Sequence, residues 1–342
     1  MKRVIFLLLV FLGWSPYLQA QAPFYQGKTI SIIVGTKAGD AYDLYARLLA
    51  YHMPKHIPGN PNIIVQNMPG AASLIAANYV YNVAKPDGLA IGAIYPALYF
   101  DQLIGRKEIR FDWTKFAWIG SPVTSNHLFY IRADTPYKNM DDVRKASEPP
   151  KCGATGTTST AYYVPKLLEE VIGTKFNIVM GYQAGQDIDL AVERGEVVCR
   201  AFTITAFFAR EPFHTWRKKG FVRVLVQTGR KRDPRLPDVP TIYELMDRYK
   251  APDSARRLAT LVLAAGDFGR PYVFPPATPG DRVKIVRQAF AKTINDPDIT
   301  ADAQKKKLEI DPTTGEELEA LAKEVIAQPP EIIERMRKML GV

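Results

Sequence analysis

Hydrophobic and polar positions follow two different periods at the start of the mature chain. Residues 29–34 form an apolar, β-branched run typical of a buried strand, and residues 41–53 show helical spacing. That spacing predicts one buried helix face made of Ala41, Leu44, Leu48 and Tyr51. Residues 62–66 have the composition of a second strand. A strand, a helix and a strand in this order predict a parallel sheet with helices packed on its faces.

The same alternation continues along the rest of the chain in two sets. The first set adds a helix at 73–83 and a strand at 89–94. The second set is predicted to contain strands at 127–131, 152–154, 177–179, 197–202 and 222–227 and helices at 140–145, 164–172 and 187–194. The last part predicts a strand at 261–264, followed by helices within 281–294, 301–307, 314–327 and 330–340. Two such sets predict an α/β fold with two lobes.

The order of the elements also predicts how the lobes are divided along the chain. We expect residues 23–124 and 231–342 to form lobe I and residues 125–230 to form lobe II. The reason is that the C-terminal helices need a core, and the sheet of the first lobe can supply it. A cleft between two lobes is a preferred place for a small molecule, and hinge bending is the motion that closes it.

The N-terminal segment has a different pattern, with two basic residues ahead of an uncharged apolar run at 4–14. Small residues follow the run, and the whole segment at 1–22 is typical of a signal peptide cleaved after Ala20 or Ala22. The run is shorter than the roughly 20 apolar residues that cross a bilayer. We therefore expect the mature chain in the periplasm.

Composition and charge exclude several classes of function. Hydrophobic residues make up 47% of the chain and charged residues 23%, which is an ordinary globular balance. The formal net charge of +10 would favour encounter with anions, although many exported proteins are basic without an acidic ligand. Lysines and arginines are scattered without a nucleic-acid motif, so no nucleic-acid partner is expected. The four histidines lack metal-ligand spacing and no nucleophile elbow occurs, so we expect no metal, cofactor or catalytic residue.

Cys152 and Cys199 are the two cysteines of the chain, and both lie in strand-like segments. An oxidising compartment permits a disulfide between them. Two buried free thiols are the alternative, because cysteine prefers buried positions. Spacing alone does not decide between the two.

Two turns between a strand and a helix are the candidate binding segments. The turn at 35–43 offers backbone N–H groups at a helix start, where an anion can bind. The alternative is that Asp40 only caps the helix and that Asp43 is a favourable first-turn carboxylate. The turn at 153–160 contains five hydroxyl side chains and two glycines, although Pro165 suggests a later start for the regular helix. Two such turns, one in each lobe, favour binding between the lobes. The turns at 67–73 and 182–187 and the tyrosines beside them are weaker candidates, which core or rim packing also explains.

Several different short motifs are spread along the chain from about residue 28 to the C-terminus. Among them are Ala38-Gly39 with Asp43, Pro69-Gly70-Ala71, Lys85-Pro86-Asp87-Gly88, Gly181-Tyr182, Gly195-Glu196-Val197 and Arg235-Leu236-Pro237-Asp238-Val239-Pro240-Thr241. Read together, these motifs resemble the substrate-binding receptors of tripartite tricarboxylate transporters, also called the Bug family. The segment at 235–241 is the most specific of them.

The resemblance implies a two-lobed type II periplasmic-binding-protein fold, a Venus flytrap with mixed sheets flanked by helices and a cleft between the lobes. It implies that the cleft closes on a small carboxylate held by backbone amides and hydroxyls of the two turns. The predicted ligand-binding residues are Lys37, Ala38, Gly39, Asp40, Asp43, Ala72, Ser73, Tyr95, Thr157, Thr158, Ser159 and Tyr182. The implied partners are the membrane permease subunits of a tripartite transporter, and a monomer suits a receptor that docks and releases its ligand.

Asp40 and the segment at 72–74 depart from the family pattern, which has glycine at position 40 and two glycines and an asparagine at 72–74. A carboxylate at position 40 would repel a bound anion unless it turned back to cap the helix. Amine-bearing, neutral and aromatic ligands therefore stay open beside a carboxylate. Two other functions also stay open: a sensory receptor that presents the solute to a membrane signalling protein, and a periplasmic enzyme.

Overall fold

The computed structural model describes residues 22–154, 159–182, 185–209 and 211–341. The strands within these residues are β1 (Thr29–Val34), β2 (Asn62–Asn67), β3 (Ala90–Ala93), β4 (Ala117–Ser121), β5 (His127–Arg132), β6 (Lys151–Ala154), β7 (Asn177–Met180), β8 (Cys199–Thr203), β9 (Val222–Gln227), β10 (Tyr272–Phe274) and β11 (Thr313–Thr314). The helices are α1 (Ala41–His52), α2 (Leu74–Asn82), α3 (Leu98–Leu103), α4 (Met140–Lys145), α5 (Thr160–Ile172), α6 (Gly185–Arg194), α7 (Ile204–Ala209), α8 (Phe213–Lys219), α9 (Ile242–Arg248), α10 (Asp253–Phe268), α11 (Gly280–Ile294), α12 (Pro297–Lys305), α13 (Gly315–Ile326) and α14 (Pro330–Leu340).

The first sheet is built from both ends of the chain, in the strand order β11-β4-β10-β3-β1-β2. Strand β1 pairs in parallel with β2 and with β3, so the carboxyl ends of these three strands lie at one edge. Strand β10 runs antiparallel to both of its neighbours, β3 and β4. The C-terminal part of the chain thus completes the sheet that the N-terminal part begins.

The second sheet is built from residues 127–227, in the order β7-β6-β8-β5-β9. Strand β6 is parallel to β7 and β8, whereas β5 is antiparallel to β8 and β9. The chain passes from the first sheet to the second before β5 and returns before β10. Each of these two strands is antiparallel to both of its neighbours. These two mixed sheets with flanking helices confirm the predicted α/β fold.

One apolar core joins the two sheets, and two others cover their remaining faces. The joining core contains residues of the first sheet, such as Ile33 and Trp118, together with Phe129 and Leu225 of the second. Helix α10 contributes to this core and packs against α5, α13 and α14. Because helices after residue 230 contact both halves, the exact lobe boundaries at 124/125 and 230/231 stay a prediction.

Helix α10 corrects the prediction of a strand at 261–264. This apolar run lies inside a helix of 16 residues, of which ten are buried, so no polar face marks the helical period. A short, fully apolar run has the same appearance in a buried helix and in a buried strand. The first strand that the chain forms after it returns to the first sheet is instead β10, which lies within the proline-rich residues 271–279.

Helix α1 begins at the predicted residue and ends one residue before the predicted position 53, but the predicted buried face is only partly correct. Leu48 is buried as predicted, whereas Tyr51 is 80% exposed and Leu44 37% exposed, and Tyr45 and Leu49 are buried instead. The buried face is therefore rotated from the predicted one, and it includes two polar residues. Asp43 and His52 lie on the buried side, and the His52 ring is 3.2 Å from a carboxylate oxygen of Asp302.

In the part of the chain that the structure describes, none of the helices combines the length and apolar character needed to span a membrane.

Candidate functional site

Asp43 organises the turn that follows β1. Its side chain is 1% exposed and accepts hydrogen bonds from the backbone N–H of Gly39 at 2.8 Å and from Asn67 Nδ2 at 2.9 Å. Arg47 Nε donates a third bond at 2.9 Å, and Asn67 also donates to the carbonyl of Thr36. Burial by itself raises the pKa of Asp43, but the hydrogen bonds from Arg47, Gly39 and Asn67 outweigh it and hold this pKa below its usual value. Asp43 therefore shapes the turn, and its lone pairs are committed to the protein.

Asp40 is the N-cap of α1. Its backbone is extended, and Oδ1 accepts a hydrogen bond from the N–H of Tyr42 at 3.0 Å. The side chain therefore turns back on the helix, the arrangement under which a carboxylate at this position is compatible with a nearby anion.

The backbone just ahead of Asp40 has N–H groups without an acceptor among the described residues. Lys37, Ala38 and Gly39 are exposed. The Gly39 N–H is used by Asp43, but the N–H groups of Lys37 and Ala38 donate to no residue in the described part of the chain. Backbone donors of this kind at the start of a helix are suited to an anion.

Ser73 and Tyr95 come together beside this turn. The Ser73 Oγ accepts a hydrogen bond from the Tyr95 N–H at 3.1 Å, and Ser73 is 1% exposed. Its backbone is left-handed, with φ of 73°, a conformation that glycine adopts more readily than serine. A Cβ on Gly35 would overlap the Ser73 side chain, so the end of β1 and the start of α2 are in close contact. Ala72 lies in the same short helical turn.

An aromatic cluster with one cation flanks the turn. The Tyr42 and Tyr95 rings are 4.8 Å apart between centroids. The guanidinium carbon of Arg270 lies 5.4 Å from the Tyr42 ring centroid, and it lies 5.0 Å from the Tyr45 ring centroid. Arg270 is not among the predicted residues, because a single basic residue ahead of the proline-rich residues 271–279 carries no periodic or motif signal.

The second candidate turn follows β6, and part of it lies outside the described residues. Thr157 and Thr158 belong to that part. Ser159 is the N-cap of α5, which begins at Thr160. The helix therefore starts before the predicted position 164 and accommodates Pro165, whose missing N–H removes one hydrogen bond.

Tyr182 lies at the same edge of the second sheet as Ser159. Its Cε2 is 3.3 Å from the position that a Cβ on Gly153 would take, so the ring covers the end of β6. Burial raises the pKa of Tyr182, and the hydroxyl stays neutral at pH 7. The structure thus gathers the predicted residues of the first turn around β1, and it places Ser159 and Tyr182 together on the second sheet. As ligand contacts, all of them stay predictions.

Cys152 and Cys199 lie opposite each other in the parallel strands β6 and β8, with a Cα–Cα distance of 4.5 Å. Their sulfurs are 2.09 Å apart and joined in a disulfide, and both residues are fully buried. The structure thus favours the bridge over two free thiols.

A separate groove of about 870 Å³ lies between residues 230–235, which follow β9, and the C-terminal helices α12 and α13. Its arginines have acidic partners: Arg230 contacts Asp267 at 3.1 Å, and Arg235 contacts Glu309 at 2.5 Å. Glu309 also accepts a hydrogen bond from Thr205 at 2.7 Å, which connects the two sheets. Because these charges neutralise each other, the groove has less attraction for an anion than the turn after β1.

The comparisons identify the family. The model of the tripartite tricarboxylate transporter family receptor matches residues 45–337. This chain belongs to that receptor family. A curated relative, a UPF0065 protein in the gbd 5' region of Cupriavidus necator, is 25% identical over 323 residues, which cover 93% of this chain and 90% of the relative.

Solved structures of similar proteins have the same fold. A TctC solute-binding protein from Polaromonas has a TM-score of 0.71 at 19% identity, covering 93% of this chain and 99% of that one. An R. palustris protein with adipate has a TM-score of 0.54 at 18% identity, with 92% and 97% covered. MatC from Rhodopseudomonas palustris with bound malate has a TM-score of 0.51 at 19% identity, with 92% and 99% covered.

Replacing Asp43 by asparagine is expected to lower the free energy of unfolding by about 2 kcal/mol at pH 7, because an amide cannot accept from all three donors. The pKa of Asp43 is depressed in the folded state, so its contribution is complete above the unfolded pKa of about 3.9 and is lost as the pH falls through the folded value. Denaturant unfolding at several pH values should show the difference between variant and wild type shrinking below about pH 4.

The matched control is Asp40→Asn, since asparagine caps a helix about as well as aspartate and stability should change little. Equal losses for the two variants would contradict the role of Asp43 in the turn.

Proposed function

We propose that this chain is a periplasmic solute-binding receptor that captures a small carboxylate and delivers it to the permease subunits of a tripartite transporter. Membership of the receptor family and the unused N–H groups of Lys37 and Ala38 at the start of α1 carry this proposal together. Two proteins of the same fold have the carboxylates malate and adipate bound.

The electrostatics of the turn support an anionic ligand. The Asp40 carboxylate is engaged with the Tyr42 N–H, and Asp43 is enclosed by its three donors, so neither acid is directed at a ligand. The N-terminus of α1 adds its partial positive charge, and the chain carries a net charge of +10.

Export to the periplasm follows from the signal-peptide pattern at 1–22 and agrees with a disulfide, which persists in an oxidising compartment. We propose that ligand is bound and released unchanged. Cys152 and Cys199 are joined in a disulfide, so neither supplies a free thiol nucleophile. We also propose that the receptor docks with the permease as a monomer.

The proposal is tested by the thermal unfolding of the purified mature protein with malate, adipate, amino acids, amines and neutral sugars. A ligand that binds only the folded state contributes about 2.7 kcal/mol at a hundredfold excess over its Kd. We expect a dicarboxylate to raise the melting temperature. A rise only with amines or neutral compounds would contradict a carboxylate ligand, and chemical conversion of the bound compound would contradict a receptor.

Ser159→Glu is expected to weaken carboxylate binding at least about tenfold, because it places a negative charge at the start of α5. The fold should persist, since acidic residues are favourable in the first turn of a helix. Titration calorimetry measures the loss. Ser147→Glu adds the same charge at an exposed position after α4 and should leave affinity unchanged. Equal affinities for both variants would remove Ser159 from the binding site.

A further inference from the structure

We propose that Arg270 is the charge partner of the bound solute and that its guanidinium pairs with one carboxylate of the ligand. This inference rests on the proposed function and names the side chain that would give the site its selectivity for a doubly acidic solute.

Arg270 is held at the site by its backbone. Its N–H donates to Ser121 Oγ at 2.9 Å, and the preceding carbonyl, of Gly269, accepts from the Tyr42 hydroxyl at 3.3 Å. These two bonds tie the segment before β10 both to the end of β4 and to the second residue of α1. Arg270 therefore lies beside the first turns of α1, the helix that follows the unused N–H groups.

The guanidinium lacks an acidic partner. Within the described residues it forms no ion pair and no side-chain hydrogen bond, and its Nε is buried without an acceptor. The nearby acids are committed elsewhere: Asp40 caps α1, Asp43 is bonded to Arg47, and Glu309 is bonded to Arg235. This differs from the arginines of the groove, which have carboxylate partners.

An unpaired, half-buried cation is unfavourable unless something pairs with it. The faces of Tyr42 and Tyr45 attract the guanidinium and fix its plane, but they do not neutralise its charge. A planar guanidinium with a free edge is the protein group best suited to two parallel hydrogen bonds with a carboxylate. We infer that the ligand supplies the missing acid.

Two features that can hold anions are thus close to Tyr42. One is the backbone at Lys37 and Ala38, which precedes α1, and the other is Arg270. Two acidic groups of one small molecule can use both features at once. An aliphatic dicarboxylate meets this requirement, whereas a monocarboxylate leaves one of the two without a partner.

The test compares Arg270→Gln with wild type by titration calorimetry, using malate, adipate and the monocarboxylate hexanoate as probes. We expect the affinity for the better dicarboxylate to fall about 10- to 100-fold, the range for hydrogen bonds to a charged group. Affinity for hexanoate should change less than about threefold. Arg270→Lys should recover part of the loss, because it restores the charge without the planar fork.

The matched control is Arg337→Gln in α14, which removes the same charge from another partly buried arginine that has no described side-chain partner. Its affinity for the dicarboxylate should stay within about twofold of wild type. The ligand-free Arg270→Gln protein should be at least as stable as wild type, since the change removes an unpaired charge.

The outcomes separate this inference from the proposed function. Dicarboxylate binding that is unchanged in Arg270→Gln would overturn the inference and leave the receptor standing. An equal loss for hexanoate together with lower stability would show a structural arginine and also overturn it. A wild type that binds no carboxylate but binds sulfate or phosphate through Arg270 would overturn the carboxylate ligand in both proposals and leave Arg270 as the charge partner of a different anion. Failure of the wild type to bind any of these anions would overturn both.

Discussion

Replacing Gly269 by alanine is expected to lower the free energy of unfolding by about 4 kcal/mol, as the sum of backbone strain and a steric clash. Gly269 has φ of 61° and ψ of −107°, a conformation that is essentially restricted to glycine. A Cβ at this position would also overlap the carbonyl oxygen of Val123, which lies in the segment that connects β4 to β5. Because backbone atoms on both sides would have to move, the clash cannot be relieved by a rotamer change. Denaturant unfolding measures the loss.

Gly220→Ala is the matched control, because Gly220 has a φ of 60° and nothing lies within 4 Å of its added Cβ. Only the left-handed backbone is then strained, at about 1 kcal/mol. The additional loss of unfolding free energy at Gly269 measures the close approach between the segment before β10 and the segment that connects β4 to β5. Equal losses for both variants would contradict that approach. Since Gly269 precedes Arg270, Gly269→Ala should also weaken ligand binding, whereas Gly220→Ala should not.

Removing the disulfide by the double change Cys152→Ala and Cys199→Ala is also expected to cost about 4 kcal/mol of unfolding free energy. The bridge closes a loop across a sequence separation of 47, and a cross-link of that length removes about this much entropy from the unfolded chain. Unfolding in denaturant with and without a reducing agent checks the value. Wild type should unfold at a lower denaturant concentration in the reducing agent, and the double variant should be insensitive to it.

Burial of the two sulfurs gives a second observable. Both cysteines are fully buried, so a thiol reductant should not reach them in the native protein. A thiol reagent should then detect free cysteine only after unfolding in the presence of reductant. Rapid reduction under native conditions, or an identical midpoint with and without reductant, would contradict a buried bridge.

The fold of this protein follows largely from local patterns in its sequence. The β-branched run at 29–34 and the helical spacing at 41–53 reappear as β1 and α1, and the strand at 222–227 has the predicted bounds. These segments succeed because each one buries a face whose period is visible along the chain. Elements without such a period were missed or misread, as α10 shows.

The candidate site follows from the sequence only in part. A turn between a strand and a helix is a local feature, and so is the cap formed by Asp40, whose hydrogen bond reaches just two residues along the chain. Arg270 is different, because it follows Gly269, which lies 227 positions beyond Tyr42, the residue to which it is hydrogen-bonded. Sequence position carries no information on such an approach.

The sequence by itself determined the alternation of strands and helices, the family resemblance and the two candidate turns, and it predicts an export signal at 1–22, since each depends on neighbouring residues. Tertiary structure alone decided which face of α1 is buried, that 261–264 lies in a helix, and that the two cysteines meet across β6 and β8. It also decided that Asp43 is enclosed by donors, while none of the described acids forms an ion pair with Arg270. The physical reason is that charge pairing and burial depend on distances between segments far apart in the chain, which only packing sets.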